Sequence, residues 1–363
     1  MIESRVPEPS RDPAPVAQDV LPLDGVRRLA EAVLARHGFS AAHAEAIAEV
    51  VTAAERDASP SHGLFRLPAY VATLAAGQCS GTAEPVVSRP APGIVRVDAG
   101  LGFAPLAMRR AEQVLVEAAR SQGIAVLAVR RTLHLGALWP EVERLAVQGL
   151  VALSCTAALP YVAPHGGRRP LFGTNPIAFG WPRPAGRPPM VFDQASSASA
   201  RGEIQLRLRD GRPLPDGWAI DGDGRPTTDP AAALAGAQLP FGGAKGSALA
   251  LMVELLAGPL LGELLSVEAA ARDRAATGAP EGGLLVIAID PARVAPGADA
   301  DSVAAHGERL FAALLDDAGT RLPGDRRLAA RAIALRSGVS VPRALHDTLR
   351  ALRDGPAAPA LCG

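Results

Sequence analysis

The sequence predicts an α/β protein, because apolar strand segments alternate with amphipathic helices along the middle of the chain. Residues 94–97 read as a strand before a helical pattern over 104–120, and residues 124–129 read as a strand before one over 137–147. This alternation is typical of a sheet covered by helices. A third observation limits the class: no GxGxxG motif connects a strand to a helix, so a Rossmann-type dinucleotide site is not expected.

The N-terminal part of the chain predicts an arm followed by helices. Residues 1–20 are rich in proline and charge and poor in aromatic side chains, a composition typical of disorder. Apolar spacing predicts a helix over residues 23–37, and Ser40 is the expected N-cap of a second helix that ends near residue 57. A shorter helical pattern covers residues 64–76.

The remaining elements follow the same two periodicities. Further apolar runs predict strands at residues 150–155, 176–179, 190–192 and 284–289. Helical spacing predicts helices that start near Gly246 and that cover residues 302–316 and 341–352. Residues 210–240 are rich in glycine, proline and aspartate, and this composition indicates loops and turns.

Charge and cysteine content exclude several classes of protein. The 37 basic and 37 acidic residues balance, so there is no electrostatic reason to expect nucleic acid or an anionic membrane as a partner. The three cysteines show no CxxC spacing, so neither a disulfide framework nor a zinc site is predicted. No secretory signal is recognised, and the longest apolar stretch, residues 247–261, contains Glu254. We expect this stretch to be a buried helix of a cytoplasmic protein.

The first candidate site is Ser61-His62-Gly63 with Arg66, directly after the second predicted helix. Histidine exchanges protons near neutral pH, and an adjacent serine can orient the imidazole. Arg66 follows about one helical turn later, and its guanidinium suits a carboxylate. The alternative is that Ser61 caps a short helix and that His62 lies on the surface.

A second candidate connects a predicted strand to a predicted helix and consists of His134, Leu135, Gly136, Ala137 and Leu138. Backbone N–H groups at the start of a helix suit phosphate or carboxylate groups. The alternative for His134 is a capping or buried histidine.

Two further segments have the composition of binding loops. Thr174 lies in a Gly-Thr-Asn-Pro run, where glycine lets the backbone approach a ligand closely. Phe192, Asp193 and Gln194 end a predicted strand, which is where open α/β sheets bind ligands. Glu203 is near enough in sequence to reach the same pocket. An ordinary turn and a helix cap are the respective alternatives.

Two basic segments complete the candidates. Lys245, Gly246 and Ser247 open the long apolar helix after two glycines, an arrangement that suits an anion although it does not match a phosphate loop. The turn that begins at Arg321 also contains Arg326 and Arg327, which suit a phosphate monoester such as the 2′-phosphate of NADPH. Solvated loops are the alternative for both.

The order of these motifs resembles one known family. SHG with a following Arg, HLGALW, LFGTNP, VFDQASS, FGGAKGSALALMVELL and GTRLPG occur in that order over residues 22–350. This order is similar to that of the type-2 malate/L-lactate dehydrogenases. The phrases HLGALWPEVE, PLFGTNPIAFGWPRP and VFDQASSASARGEI resemble the branch of Δ1-piperideine-2-carboxylate/Δ1-pyrroline-2-carboxylate reductases most.

The resemblance implies a fold and a domain division. The expected fold is the non-Rossmann α/β fold of malate/L-lactate dehydrogenases, with a mixed sheet core and a helical domain. Residues 21–80 and 325–355 are expected to form a mainly helical domain near the substrate site and the interface of a homodimer. Residues 81–324 are expected to form the cofactor-binding and catalytic domain, with a loop-rich insertion around 205–240.

The resemblance also implies chemistry and residue roles. The reductase branch uses NADPH, and hydride passes to C2 of a cyclic imine that carries a carboxylate, which yields L-pipecolate or L-proline. His62 is the implied proton donor with Ser61 and Glu203 as its relay, and Arg66 and Thr174 are the implied substrate contacts. The implied cofactor contacts are His134, Leu135, Gly136, Ala137, Leu138, Phe192, Asp193, Gln194, Lys245, Gly246, Ser247 and Arg321.

Two other functions are compatible with the same residues. A malate- or L-lactate-type 2-hydroxyacid dehydrogenase also needs a proton donor and a carboxylate anchor, so His62 and Arg66 serve it equally well. Glu203 favours the imine branch, because many hydroxyacid dehydrogenases lack an acidic residue there. A non-catalytic ligand-binding homologue is a third reading, but it predicts damage at Ser61, His62 or Arg66, and all three are present.

Overall fold

The computed structural model describes residues 17–297 and 299–356. Within these residues the strands are β1 Gln18–Leu21, β2 Val86–Ala91, β3 Ile94–Phe103, β4 Ile124–Leu133, β5 Val151–Thr156, β6 Ile177–Trp181, β7 Met190–Gln194, β8 Ala219–Ile220, β9 Pro226–Thr227, β10 Ala237–Gln238, β11 Glu281–Ile289 and β12 Val339–Pro342. The α-helices are α1 Leu23–Arg36, α2 Ala41–Arg56, α3 Leu67–Ala75, α4 Ala104–Gln122, α5 Trp139–Val147, α6 Arg201–Arg209, α7 Pro230–Ala235, α8 Ala244–Ala257, α9 Ser266–Arg272, α10 Pro291–Val294, α11 Ala300–Leu315, α12 Asp325–Ser337 and α13 Arg343–Asp354.

The centre of the described structure is a seven-stranded mixed sheet with the strand order β2-β3-β4-β11-β5-β6-β7. Only β3 and β4 are parallel neighbours, and every other pair in this sheet is antiparallel. Strand β11, which comes last of the seven in sequence, lies between β4 and β5 and is antiparallel to both. Strands β4 and β5 therefore run in the same direction but are not hydrogen-bonded to each other. The predicted mixed α/β fold is therefore confirmed, and its order differs from that of a Rossmann sheet.

Helices cover both faces of this sheet. On one face, α4 packs against β3, β4 and β11, and α5 packs against β5, β6 and β7, through buried aliphatic side chains that include Leu115, Val142 and Val286. On the other face, Val253 of α8 packs against Cys155 and Leu285. The central strands β4, β5 and β11 are therefore covered on both sides, which explains why they contain nearly continuous apolar runs.

A second apolar core lies among the helices. Side chains of α1, α2 and α3 meet side chains of α12, β12 and α13 in one cluster, which includes Ile47, Tyr70, Ala334, Val341 and Leu349. Ser40 caps α2 as predicted, because its side chain accepts a hydrogen bond from the backbone N–H of His43. This core joins the start and the end of the described chain. The predicted domain boundaries stay a prediction.

The predicted arm requires a correction at its end. Residues 18–21, which include the last residues of the arm expected over 1–20, form β1 and pair with β12 in antiparallel register. Asp19 also bonds to Arg343 and His346, so ion pairs as well as backbone hydrogen bonds hold the strand. Residues 1–16 of the arm and residue Cys362 lie outside the described residues.

The loop-rich segment contains more regular structure than its composition indicates. β8, β9 and β10 form a small antiparallel sheet, and α7 begins at Pro230 after the cap Asp229. Residues 201–209, which enter the insertion expected around 205–240, form α6. Its sequence, RGEIQLRLR, has few apolar residues, and so it shows no clear helical period.

Helix α8 is the apolar helix that we expect to be buried. In the structure only one side of this helix is buried. Ala250, Val253 and Glu254 face the protein, whereas Leu251 and Leu255 are 48% and 52% exposed. By length and composition alone, Ala244–Leu261 is the one segment in the described part of the chain that is apolar enough to cross a membrane. The helix nevertheless covers the sheet, and the carboxylate of Glu254 in its last turn accepts hydrogen bonds from Asn175 and Ser266.

Candidate active site

The turn that contains the predicted catalytic residues lies between α2 and α3 and consists of two short 3-10 helices, Pro60–His62 and Leu64–Arg66. The Oγ atom of Ser61 lies 3.0 Å from Nδ1 of His62. The Nε–H of Arg66 donates to the carbonyl oxygen of Ser61 at 2.7 Å. The turn thus brings a hydroxyl, an imidazole and a guanidinium together, as the spacing predicts.

Glu55 of α2 supports this turn from behind. Its Oε1 atom accepts a hydrogen bond from the backbone N–H of Leu64 at 2.7 Å. A Cβ atom on Gly63 would lie 2.2 Å from the same oxygen, so only glycine fits next to His62. Burial raises the pKa of Glu55 to about 7, and the hydrogen bond from Leu64 opposes this change.

Burial and the neighbouring positive charges determine the charge of the His62 imidazole. Burial lowers the pKa of the imidazole to about 3, with the positive charge of Arg66 as the next cause and His134 as a third. The imidazole is therefore neutral at neutral pH in the free protein. A negative charge placed beside Arg66 would offset the second cause and favour the protonated ring.

Two cavities open on either side of His62. The first has a volume of about 670 Å³ and the second about 570 Å³. They share His62, Gly136, Thr174, Pro176 and Ala200 as lining residues. Two ligands placed in these cavities would meet beside His62 and Thr174.

The first cavity contains two arginines, Arg66 and Arg201. Within the described residues neither guanidinium pairs with a carboxylate: Arg66 bonds to a backbone oxygen, and Arg201 bonds to the carbonyl of Leu234 and lies over the ring of Tyr161. Burial lowers the pKa of both. Two half-buried cations without an anion make this cavity suitable for a carboxylate.

Three arginines line the second cavity: Arg321, Arg326 and Arg327. Arg327 lies over the ring of Trp139, and its Nη2–H donates to the carbonyl oxygen of Val191 at 2.6 Å. Its Nη1 atom is buried and has no hydrogen-bond partner in the described structure. An unpaired buried donor of this kind fits an anionic ligand, such as a phosphate group.

The predicted cofactor loop before α5 divides between the cavities. His134 and Leu135 line the first, Ala137 and Leu138 line the second, and Gly136 lines both. The side chain of His134 is 7% exposed, and its Nε2 lies 3.6 Å from the carboxylate of Glu141. A separate set of predicted residues, Phe192, Asp193, Gln194 and Arg321, lines the second cavity as well.

The interpretation of the α5 start as an anion site requires a correction. The backbone N–H groups of Leu138 and Trp139 donate to the Asp193 carboxylate at 2.7 and 3.1 Å. Asp193 therefore caps the helix that precedes it in sequence, and these two amides have no capacity left for a phosphate. Burial raises the pKa of Asp193, and the two N–H groups and Arg327 oppose this change.

One predicted catalytic contact, that of Glu203, is not made. The carboxylate of Glu203 pairs with Arg207 at 3.0 Å on the surface of α6 and does not join the pair of Ser61 and His62. Its neighbour Gly202 is the residue that touches the turn, since a Cβ atom there would lie 2.9 Å from Cβ of Ser61.

The glycine-rich start of α8 is also separate from the site. Lys245, Gly246 and Ser247 line neither cavity. Lys245 is exposed, Gly246 is buried against Phe241, and the hydroxyl of Ser247 accepts a hydrogen bond from the backbone N–H of His165. Their predicted cofactor contact has no support in the geometry of the cavities.

Several lining residues were not predicted. Arg201, Tyr161, Gln205 and Asp273 belong to the first cavity. Their signals in sequence are single polar residues in loops or in a helix without an apolar period, so nothing distinguishes them from surface residues. Among the described residues, no group of three or more His, Cys, Asp or Glu side chains is arranged to hold a metal ion.

Comparison with known proteins identifies the family to which the chain belongs. The family model for malate/L-lactate dehydrogenase matches residues 21–350. The chain belongs to the malate/L-lactate dehydrogenase family. The expected family is therefore confirmed, and its members provide relatives for nearly the whole chain.

Three relatives of this family member are especially informative. A Δ1-pyrroline-2-carboxylate/Δ1-piperideine-2-carboxylate reductase of Pseudomonas aeruginosa is 56% identical over 91% of this chain and 98% of its own length. A Δ1-pyrroline-2-carboxylate reductase of Pseudomonas fluorescens is 50% identical over 92% and 98% of the two chains. The crystal structure of a Δ1-piperideine-2-carboxylate reductase from Pseudomonas syringae pv. tomato matches with a TM-score of 0.85 at 44% identity, covering 92% of this chain and 99% of that one.

Proposed function

We propose that the protein reduces cyclic imino acids with NADPH, converting Δ1-piperideine-2-carboxylate to L-pipecolate and Δ1-pyrroline-2-carboxylate to L-proline. The observation that carries the proposal is the pair of cavities that meet at His62, one with arginines that pair with no carboxylate among the described residues and one with arginines suited to phosphates. The names of the relatives that share about half of the sequence supply the substrate class.

Arg66 and Thr174 hold the substrate in this proposal. The guanidinium of Arg66 binds the carboxylate, with Nε already fixed by the carbonyl of Ser61 at 2.7 Å. Binding a charged group in this way contributes about 2 to 3 kcal/mol and fixes which face of C2 points towards the second cavity. Thr174 lines both cavities, so its hydroxyl lies where the ring and the cofactor meet.

Ser61 and His62 supply the proton. Reduction of a C=N bond delivers a hydride to carbon and leaves nitrogen in need of one proton. Ser61 engages Nδ1 of His62, so Nε2 remains for the substrate nitrogen. Burial is the largest cause of the lowered pKa of His62 and Arg66 is the second; the substrate carboxylate beside Arg66 offsets the second cause, so the pKa of His62 should rise when the substrate binds.

NADPH is the cofactor that the second cavity fits. The unpaired Nη1 of Arg327 and the exposed guanidinium groups of Arg321 and Arg326 would hold its phosphates. When bound, the nicotinamide supplies the hydride. Phe192 and Gln194, at the end of β7, line this cavity together with Thr174.

We also propose that the protein acts as a homodimer in the cytoplasm. The family resemblance supports the dimer, and so do Leu251, Met252 and Leu255, whose apolar side chains are exposed on α8. Lys245 lies in the first turn of this helix, so we expect any function of Lys245 to be at the dimer interface. Light scattering tests the dimer, and a monomer at micromolar concentration would refute it.

The decisive test compares NADPH oxidation with Δ1-piperideine-2-carboxylate, Δ1-pyrroline-2-carboxylate, pyruvate and oxaloacetate. Fast turnover of the cyclic imines with little turnover of the keto acids is expected. The reverse preference would refute the proposed substrate class and favour a 2-hydroxyacid dehydrogenase. Substitution His62→Ala should abolish turnover while NADPH still binds, whereas unchanged turnover would remove His62 from the mechanism.

A further inference from the structure

Glu254 is a buried carboxylate outside the two cavities. It lies in the last turn of α8 and is 5% exposed. Within the described residues it pairs with no cation: its Oε1 accepts hydrogen bonds from Asn175 Nδ2 at 2.8 Å and from the N–H of Gly173 at 3.3 Å, and its Oε2 accepts one from the N–H of Ser266 at 3.0 Å. The hydroxyl of Ser266 donates to it as well. A buried carboxylate without a cation is costly unless it is hydrogen-bonded, so these four hydrogen bonds offset a cost that an apolar residue at this position would avoid.

Asn175 connects the Glu254 carboxylate to two segments that line the first cavity, those of Ala158 and Thr174. Its Nδ2 donates to Glu254 and to the carbonyl of Ala250, and its Oδ1 accepts a hydrogen bond from the N–H of Ala158 at 3.1 Å. Ala158 and Thr174 both line the first cavity. Asn175 is fully buried and has a φ of 39°, a left-handed conformation that asparagine adopts more readily than most residues.

Thr174 is held from its other side by Ser196. The backbone N–H and the hydroxyl of Ser196 donate to the carbonyl oxygen of Thr174 at 2.8 and 3.0 Å. The hydroxyl of Thr174 itself makes no hydrogen bond in the described structure, so it is available to a ligand at the junction of the cavities. Hydrogen bonds therefore hold the N–H of Gly173 before Thr174 and the carbonyl of Thr174 itself, and the Thr174 side chain is left free.

We propose that Glu254 and Asn175 are positioning residues, which hold the Thr174 hydroxyl where the substrate and the cofactor meet. The inference rests on the proposed function, because Thr174 matters only if a substrate binds in the first cavity. Neither residue touches the substrate. Both act by fixing the backbone before and after Thr174 relative to Ala158 and α8.

The test is a double-mutant cycle between Asn175→Asp and Thr174→Val. The introduced carboxylate keeps the acceptor for Ala158 but lies against Glu254, so kcat/KM for the imine should fall about 30-fold while KM for NADPH changes less than about threefold. Thr174→Val should lower kcat/KM about tenfold in the wild-type protein and less than about threefold in the Asn175→Asp variant. Equal losses from Thr174→Val in both backgrounds would overturn the proposal.

A second variant exchanges the hydrogen-bond donor at position 175 with the acceptor at position 254. It distinguishes a loss of positioning from a general loss of folded structure. In the double variant Asn175→Asp/Glu254→Gln, the amide at position 254 can donate to the carboxylate at position 175, so kcat/KM should recover at least about threefold over Asn175→Asp alone. If Asn175→Asp does not fold, the milder Glu254→Gln replaces it in the cycle with Thr174→Val. The exposed Glu268→Gln, close to Ser266 in sequence, is the control and should match the wild-type protein.

The cycle is measured with whichever substrate the wild-type protein reduces. A protein that reduces keto acids but not cyclic imines refutes the proposed substrate class, yet non-additivity on the keto acid still supports positioning. Imine turnover with additive losses supports the proposed function and refutes positioning. The two failures are thus distinguished.

Discussion

The carboxylate of Glu55 accepts a hydrogen bond from the backbone N–H of Leu64 at 2.7 Å, two residues beyond His62. This hydrogen bond holds the turn of Ser61, His62 and Arg66 against α2, and its acceptor is a carboxyl group whose charge changes near neutral pH. Burial raises the pKa of Glu55 from 4.5 to about 7, so the folded protein retains a proton that the unfolded chain has released. Between these two values the free energy of unfolding therefore decreases as pH rises.

Substitution Glu55→Gln should stabilise the protein at pH 8 and have little effect at pH 5. Glutamine keeps an acceptor for Leu64 but cannot ionise, and the difference between 4.5 and about 7 corresponds to about 3 kcal/mol at most. Urea unfolding at both pH values measures the effect, with the exposed Glu117→Gln as control. Equal stability of Glu55→Gln and the wild-type protein at pH 8 would contradict the raised pKa.

Ser61→Ala should reduce kcat without reducing cofactor affinity. Removal of the hydroxyl takes away the partner of His62 Nδ1 at 3.0 Å, so the ring is less well oriented for proton transfer. We expect a loss of about tenfold, smaller than the loss of 100-fold or more expected for removal of the imidazole itself. Ser59→Ala is a matched control, since Ser59 also lines the second cavity and, among the described residues, the Ser61 hydroxyl alone is hydrogen-bonded to the His62 ring. A Ser61→Ala enzyme with wild-type kcat would show that His62 is oriented by its packing alone.

Arg66→Lys should raise KM for the imino acid while KM for NADPH stays within about twofold. Lysine keeps the positive charge but loses the planar fork and the bond from Nε to Ser61. A loss of about 2 to 3 kcal/mol of charge-assisted bonding corresponds to a 30- to 150-fold decrease in kcat/KM. The exposed Arg110→Lys controls for the substitution. If KM for NADPH rises instead, Arg66 belongs to the cofactor site.

Local sequence signals predict the elements of this fold better than their arrangement. Apolar runs identify β4, β5 and β11, because each is buried on both faces of the sheet. They do not reveal that β11 inserts between the other two, since strand order depends on contacts between distant residues. The resemblance to a known family supplies what periodicity does not contain.

The same distinction applies to the site. Ser61, His62 and Arg66 are close in sequence, and one tight turn brings them together as their spacing predicts. Asp193 and Leu138 are far apart in sequence, so no local pattern reveals their hydrogen bond, which occupies an amide that the sequence assigns to a ligand. The resemblance predicts that Glu203 reaches the turn, but in the structure its carboxylate lies beside Arg207.

Cofactor selectivity should depend on Arg321 and Arg326. Both line the second cavity, both are exposed, and neither guanidinium makes a hydrogen bond or an ion pair within the described residues, so both are free to bind a phosphate monoester. In the double variant Arg321→Ala/Arg326→Ala, KM for NADPH should rise at least about tenfold, and KM for NADH, which lacks the 2′-phosphate, should change less than about twofold. Arg336→Ala, exposed at the end of α12 and away from both cavities, should leave both values unchanged. An equal rise for NADPH and NADH would assign these arginines to a part that the two cofactors share, such as the pyrophosphate, and selectivity for the 2′-phosphate would then have to come from another group.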